Sequence, residues 1–285
     1  MRSHQSFRSL ASFATLSIVL TAPGCARAQT LEPVRHDVAR VRMATRVDTV
    51  RDTVIVLPSR PRKVTYTFKS RADSLSWART RALAEKSTGF RLVVSLQDAR
   101  LWAMIGEDTV LNTSVAVAKG TTLEYAGRSY RFETPRGMRR VQKKESNPIW
   151  QPPDWLYVET AQEHGLKVGR IVPGKPRKLA DGRLITVRDS VVGLLDAGEF
   201  LPMPTDEHIV FGDTLFIPPM GTRNRRVEGE LGRFRLDLGE GYLLHGTPYK
   251  ESIGMAATHG CVRLRDEDIE WLYDHVPVQT RVYIY

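Results

Sequence analysis

After residue 90 the chain is written mostly in a period of two, with polar and β-branched or aromatic residues alternating in short runs. RLVVSL (91–96) and RLWAMI (100–105), divided by Gln97-Asp98-Ala99, predict a hairpin. TVLNTSVAVA (109–118) follows, and MRRVQKK (138–144) alternates after a turn at 134–137. RLITV (183–187), HIVFG (208–212), TLFIP (214–218), RFRLDL (233–238) and GYLLH (241–245) are further short strands, and 282–284 closes the series. A helical period replaces this pattern twice. Over 70–86, Leu75, Ala78, Ala82 and Leu83 share one face and Asp73 supplies a cap; over 266–275, Asp266 caps and Ile269, Leu272 and Tyr273 form the stripe. Short strands between Gly/Pro turns, with few helices, predict a mainly β fold: an irregular β-sandwich or barrel with an N-terminal helix and a short helix after Cys261.

The first ninety residues are patterned differently. Arg2 and Arg8 precede an uncharged apolar run over 10–20, too short to span a bilayer, and Ala26-Arg27-Ala28 has the small-x-small form of a cleavage site. Residues 1–28 are therefore expected to be an export signal. A competing reading makes Cys25 a lipidation site, since Ala22-Pro23-Gly24-Cys25 distantly resembles a lipobox; membrane anchoring is expected only in that case. TRVDTVRDTVIV (45–56) alternates like a strand or extended arm until Pro58 and Pro61 stop it. Residues 29–89 read as a linker that carries a helix near 71–87. Residues 90–285 read as the catalytic region.

Composition changes this picture in two respects. With 41% apolar and 26% charged residues the chain can bury a core, and its formal charge of +10 stays basic once Arg2, Arg8 and Arg27 are removed. The basic residues are scattered in groups such as Arg139/Arg140/Lys143/Lys144 and Arg223/Arg225/Arg226, mostly as solvated loops and strand edges. An exported basic protein is drawn to anionic envelope polymers or lipid head groups, and export argues against nucleic acid as a partner. The second respect is cysteine: only Cys25 and Cys261 occur. Removing the leader leaves Cys261 alone, unable to form an internal disulfide, so it is either a small buried hydrophobe or a reactive thiol.

The neighbours of Cys261 favour reactivity. His245 ends a predicted strand, and sixteen residues on, after a loop of small residues, comes Thr258-His259-Gly260-Cys261. A thiolate is the nucleophilic form of cysteine and needs a base to take its proton. Gly260 lets the backbone turn tightly, so that the amides of Gly260 and Cys261 face an oxyanion. Arg263 is placed to meet a substrate carboxylate or a structural acid. The same histidines invite a zinc reading with Cys261 and His275, but His-x-Cys is tight spacing and no Cys-x-x-Cys or His-x-x-x-His pair accompanies it, so no metal is expected. Singly, each histidine would more often be structural; the signal is the joint pattern.

That pattern, His245-Gly246-Thr247 through Thr258-His259-Gly260-Cys261-Val262-Arg263, resembles the active-site signature of the L,D-transpeptidases, the YkuD-like catalytic domain. Thr134-Pro135-x-Gly137 and Asn147-Pro148-Ile149-Trp150 resemble further family stretches, and the likeness runs over roughly residues 90–285. It implies that Cys261 is the acylated nucleophile, His245 its base, the Gly246 carbonyl the group that orients the imidazole, and His259 a shaper of the loop. Thr258, Gly260 and Arg263 would line the oxyanion and substrate side. The implied reaction releases terminal D-Ala from a peptidoglycan stem peptide and passes the acyl group to an amine as a 3→3 cross-link, without metal or cofactor, in the periplasm or cell envelope. An L,D-carboxypeptidase or other hydrolase on the same scaffold, or a non-enzymatic wall-binding protein, are the alternatives. The chain departs from the pattern in an insertion near 156–226, expected to be a lid or an extra strand pair.

Overall fold

The computed structural model describes residues 67–285 and, as backbone only, the short strands Arg40–Arg42, Thr53–Ile55 and Arg62–Lys63. Thr53–Ile55 pairs with Arg40–Arg42; the rest of the 45–56 run, the expected leader and Cys25 lie outside the described residues. Among the described residues strand outweighs helix, as the alternating pattern requires, and the strands do not close into a barrel.

Two sheets face each other across the main core. The first has five strands in the order Gly137–Arg140, Arg281–Ile284, Arg91–Ser95, Arg100–Ile105, Asp108–Ser114. The second has four, in the order Lys143–Ser146, Phe234–Asp237, Leu243–His245, Val262–Arg263. Leu92, Val94, Leu101 and Ala103 of the first sheet meet Leu236, Leu244 and Val262 of the second in one buried cluster. The run expected as one strand over 138–144 is two strands, one in each sheet. The break is at Val141-Gln142: Val141 is buried and donates to the Thr280 carbonyl, whereas Gln142 donates to Asp237. An alternating run can thus leave one sheet and enter the other without losing its hydrogen bonds.

Arg91–Ser95 is buried on both faces. Successive side chains of a strand point to opposite sides, so Leu92 and Val94 enter the main core while Val93 packs with Tyr283 beneath helix α1 (Arg71–Lys86). The packed face of α1 is not the expected one. Thr80 and Ala84 are buried, whereas Leu75 and Leu83 are about half exposed. The helix sits on the aromatic surface of Trp102, Tyr283 and Tyr285, where small residues allow close approach, so size rather than apolarity selects the face. The cap also shifts: Ser70 is the N-cap and accepts from the Asp73 amide, while the Asp73 carboxylate accepts from Lys69 N–H in return.

Between the two halves of the second sheet lies a segment with cores of its own. Helix α2 (Asp154–Glu163) opens it, in a stretch where Pro152-Pro153 reads as a break in the sequence; Pro153 is the N-cap, a place where a missing N–H costs nothing. Then come a three-stranded sheet (Lys167–Arg170, Thr214–Ile217, Ile209–Phe211) and a four-stranded meander (Arg177–Lys178, Leu184–Arg188, Val191–Asp196, Glu199–Pro202). The segment thus carries one helix and two small sheets. Helix α3 (Asp266–His275) follows the cysteine loop and buries Ile269 and Leu272 against the main core. Its N-cap is Arg265 rather than Asp266.

Arg225, read from sequence as one of a solvated basic group, is 3% exposed and fastens the entry and exit of this segment. Its Nε donates to the Pro152 carbonyl (2.8 Å), one terminal nitrogen to Pro218 (2.7 Å) and the other to Asp154 Oδ1 (2.6 Å). The guanidinium also lies over the Tyr157 ring. Removing one partner of such a buried pair leaves uncompensated charge and carbonyls, at a cost of about 3 kcal/mol or more. Arg225→Ala is expected to lower unfolding stability by that amount in denaturant titration, and Arg225→Lys, lacking the planar fork, to recover little of it. A loss below about 1 kcal/mol, the usual worth of an exposed pair, would contradict this account of the clamp.

Candidate functional site

The second sheet decides where the two residues expected to be reactive stand. Leu243–His245 runs parallel to Val262–Arg263, with Leu244 opposite Val262 and His245 opposite Arg263. Leu244 and Val262 point into the main core. Alternation then turns Leu243, His245, Cys261 and Arg263 to the other face. Cys261 immediately precedes the strand that lies beside that of His245, so nucleophile and expected base share one face of adjacent strands.

His245 is buried, and its Nδ1 lies 2.6 Å from the carbonyl oxygen of Gly246. A carbonyl only accepts, so Nδ1 carries the proton and Nε2 keeps the lone pair of the neutral ring. Burial lowers the pKa of the imidazole to about 3, helped by the charges of Arg263 and Arg235 and opposed by the Gly246 hydrogen bond. Cys261 is partly buried, its Sγ 4.0 Å from the Gly241 carbonyl. Burial pushes the thiol up, against a Leu243 backbone hydrogen bond and the charges of Arg263 and Arg235. The same two guanidinium groups act on both residues. At rest the pair is imidazole and thiol, not imidazolium and thiolate.

Gly246 itself admits no side chain. A Cβ there would lie inside contact distance of Asp266 Oδ1 and 3.2 Å from both Gly232 Cα and Ile269 Cγ2. Gly232, at φ +65°, would in turn put a Cβ 2.6 Å from the Gly246 backbone. Helix α3 and Gly232 therefore press the Gly246 backbone into place from behind, and the carbonyl that orients His245 is fixed by packing.

The cysteine loop is held by its own threonine. Thr258 Oγ1 donates to the Cys261 carbonyl (2.6 Å) and lies 3.3 Å from the Gly260 amide, which donates to it. The Gly260 N–H thus has a partner inside the loop, and Thr258 ties the loop together through two hydrogen bonds. Gly260 adopts φ +143°, and a Cβ there would crowd Tyr242 (3.2 Å) and the Glu133 carbonyl (3.3 Å), so the turn does demand glycine. Arg263 finds a structural acid. Its guanidinium is 3.6 Å from Glu230, which accepts from Tyr249 O–H (2.9 Å), and it lies over the Tyr249 ring. Burial raises the Glu230 carboxyl, though Arg263 and Tyr249 oppose it.

His259 turns away from the thiol chemistry. Its Nε2 is 2.6 Å from Glu159 of α2, its ring stacks on Trp155 and it meets Phe132 edge-on. Burial lowers its pKa, with Glu159 opposing. Glu159, Trp155 and Glu230 carried no sequence signal, because their partners lie 100, 104 and 33 residues away along the chain. His275 sits on α3, bonded to the Trp271 carbonyl, and is not brought to this site. Among the described residues no group of three or more His, Cys, Asp or Glu side chains forms a metal cage. Among them too, no helix is long and apolar enough to cross a membrane.

Histidines held neutral by burial tie stability to pH. Burial lowers His245 from 6.5 to about 3 and His208, beside Tyr157 of α2, from 6.5 to about 4. Between those values the unfolded chain binds protons that the native chain does not, so stability is complete above pH 6.5 and falls as pH drops towards 4. Melting temperature is expected to decline over this window, and His208→Phe to flatten the decline relative to wild type. An equal slope in the variant would remove His208 from the explanation.

Comparison with known proteins places the chain in a family. The family model of the L,D-transpeptidase catalytic domain (YkuD) matches residues 89–284. A probable L,D-transpeptidase ErfK/SrfK of Salmonella typhimurium is 27% identical over 195 residues, 68% of this chain and 43% of that protein. The probable L,D-transpeptidase YbiS of Escherichia coli K12 is 47% identical over 55 residues, 19% of this chain and 18% of its own. This chain thus spans less than half the length of either relative. Among solved structures, the catalytic domain of an Enterococcus faecium L,D-transpeptidase is similar at 13% identity and TM-score 0.37, covering 70% of this chain and 99% of that one. An L,D-transpeptidase of Xylanimonas cellulosilytica is similar at 19% identity and TM-score 0.36, covering 70% and 62%. With the family model matched across more than half of its length, the chain belongs to the L,D-transpeptidase catalytic domain family.

Proposed function

We propose that the chain is an exported cysteine acyltransferase of the cell envelope, acting on peptidoglycan stem peptides, with residues 90–285 as its catalytic domain, an insertion near 156–226 and residues 29–89 as a linker. The observation that carries this reading is the buried, neutral His245, fixed through Nδ1 to Gly246 on the strand beside Cys261. Membership of the family supports the substrate class.

The chemistry follows from those protonation states. His245 Nε2 takes the proton of Cys261 as Sγ attacks the carbonyl between the L-centre of the third stem residue and the terminal D-Ala. Because thiol and imidazole are both neutral at rest, charge separates only as the bond forms, and general-base assistance is required. The oxyanion of the tetrahedral intermediate is met by the Cys261 amide, since the Gly260 amide is engaged by Thr258. The C–N bond breaks, imidazolium returns the proton to the departing D-Ala amine, and a thioester remains. An acceptor amine attacks the thioester carbonyl and gives its proton to His245. The C–S bond then breaks, the thiol is restored, and a 3→3 amide is left. Arg263, held by Glu230, keeps a positive charge near the sulfur as thiolate character develops.

Incubation with disaccharide-tetrapeptide followed by mass spectrometry tests the proposal. Cross-linked dimers with loss of D-Ala are expected; tripeptide alone would make the protein a hydrolase on this scaffold. Cys261→Ala is expected to abolish turnover together with any carbapenem adduct at this residue. His245→Ala should slow acylation by about 10²–10⁴-fold, the usual worth of a positioned base. Neither product nor adduct from the wild type would leave a non-enzymatic wall-binding protein.

A further inference from the structure

The mechanism leaves a cluster behind the cysteine loop unused: Lys119, Phe132, Trp155, Glu159 and His259. Four contacts from three separate segments converge there on residues 258 and 259. Glu159 Oε2 is 2.6 Å from His259 Nε2. Trp155, one helical turn earlier on α2, stacks on the imidazole with centroids 4.2 Å apart and 24° between planes. Phe132 closes the ring's edge at 4.5 Å and 86°. Lys119 Nζ pairs with Glu159 Oε1 and lies over Phe132, while its backbone N–H donates to the Thr258 carbonyl at 2.8 Å. Cys261 is two residues further along.

The charges facing this pair are Lys119, Glu163 on the next turn of α2, and Arg263. Burial alone would raise Glu159, but His259 and Lys119 outweigh it and hold the carboxyl below its ordinary value. Burial lowers the His259 pKa, and because the Glu159 carboxylate can only accept, Nε2 carries the proton that it receives. The opposite side of α2 is fixed as well, since Tyr157 and Ala161 pack with Val210, Leu215 and Ile217 of the inserted segment. The helix is a rigid wall with one carboxylate aimed at the loop.

We propose that Glu159 is a positioning residue for the nucleophile: acting through His259 and backed by Lys119, it holds the 258–261 loop so that Cys261 stands in line for attack. The proposal rests on the cysteine chemistry above and extends it to the insertion, whose first helix then fixes the geometry of the nucleophile.

A mutant cycle with two readouts tests it. The rate of Cys261 alkylation by iodoacetamide, followed by mass spectrometry, needs no assumption about substrate; acylation by disaccharide-tetrapeptide reads the proposed reaction. Glu159→Ala is expected to slow both by about tenfold to a hundredfold, the scale of a displaced reacting group. Glu159→Gln, whose amide oxygen still accepts from His259 Nε2–H, should stay within about threefold of wild type, the loss being confined to charge. The decisive comparison is non-additivity: Glu159→Ala in a His259→Ala background should cost nothing more, because the pair acts as one unit. Multiplying effects in the double variant, or a Gln variant as slow as Ala at equal melting temperature, would overturn the proposal. If Glu159→Ala does not fold, Glu159→Asp, which withdraws the carboxylate by one methylene, takes its place in the cycle with the same expectations. A wild type that alkylates normally but leaves tetrapeptide untouched would count against the substrate reading alone.

Discussion

The carbonyl of Gly246 is the constraint on which the site depends. It fixes the tautomer of His245, and so decides which nitrogen is available as a base. A hydrogen bond from a ring to its own neighbour's carbonyl is cheap to form but easily lost if that peptide can rotate. Here Gly232 and Asp266 pack against the Gly246 backbone from behind, and the peptide before it is held by the parallel strand, where Leu264 N–H bonds the His245 carbonyl. Asp266 Oδ1 stays buried there without a hydrogen-bond partner. A buried polar atom left unpaired is a cost, and it stands next to the one peptide whose orientation the chemistry requires.

Much of this was legible along the chain because the information is local. His245-Gly246 is a dipeptide, Thr258 to Arg263 are six consecutive residues, and the alternation that puts Leu244 and Val262 in the core also puts His245 and Cys261 opposite the core. The strands over 91–105 follow their pattern for the same reason. What the sequence hid is whatever depends on a partner far along the chain. Apolar periodicity misplaced the face of α1, because a small-residue face against aromatic rings has no hydrophobic signal. Pro152-Pro153 reads as a break where it opens a helix. Arg225 looks like surface charge, since nothing nearby announces the carbonyls of Pro152 and Pro218 that its fork satisfies.

The oxyanion side shows a finer limit. Glycine before the nucleophile has two physical uses, a free amide and a left-handed turn, and a sequence cannot tell them apart. At Gly260 the turn is what glycine supplies: φ +143° and the close approach of Tyr242 require it, while its amide goes to Thr258. Threonine in the signature is likewise explained by a double hydrogen bond inside the loop. The tight spacing of Thr258-His259-Gly260-Cys261 is then a loop that holds itself together, with one residue, His259, turned outwards as its handle.

Part of what grips that handle is helix α2, and this bears on what the segment it opens does. A lid that only covered a groove would need few contacts with the catalytic loop. Helix α2 instead spends Trp155 and Glu159 on the loop and Tyr157 and Ala161 on the segment's own core, while Arg225 ties its first turn to both ends of the excursion. Forces that deform the segment reach His259 through a packed helix, and packed interiors transmit strain instead of absorbing it. Helix α2 therefore packs against the cysteine loop on one side and the core of its own segment on the other, while Phe132 and Lys119 hold the loop from outside that segment.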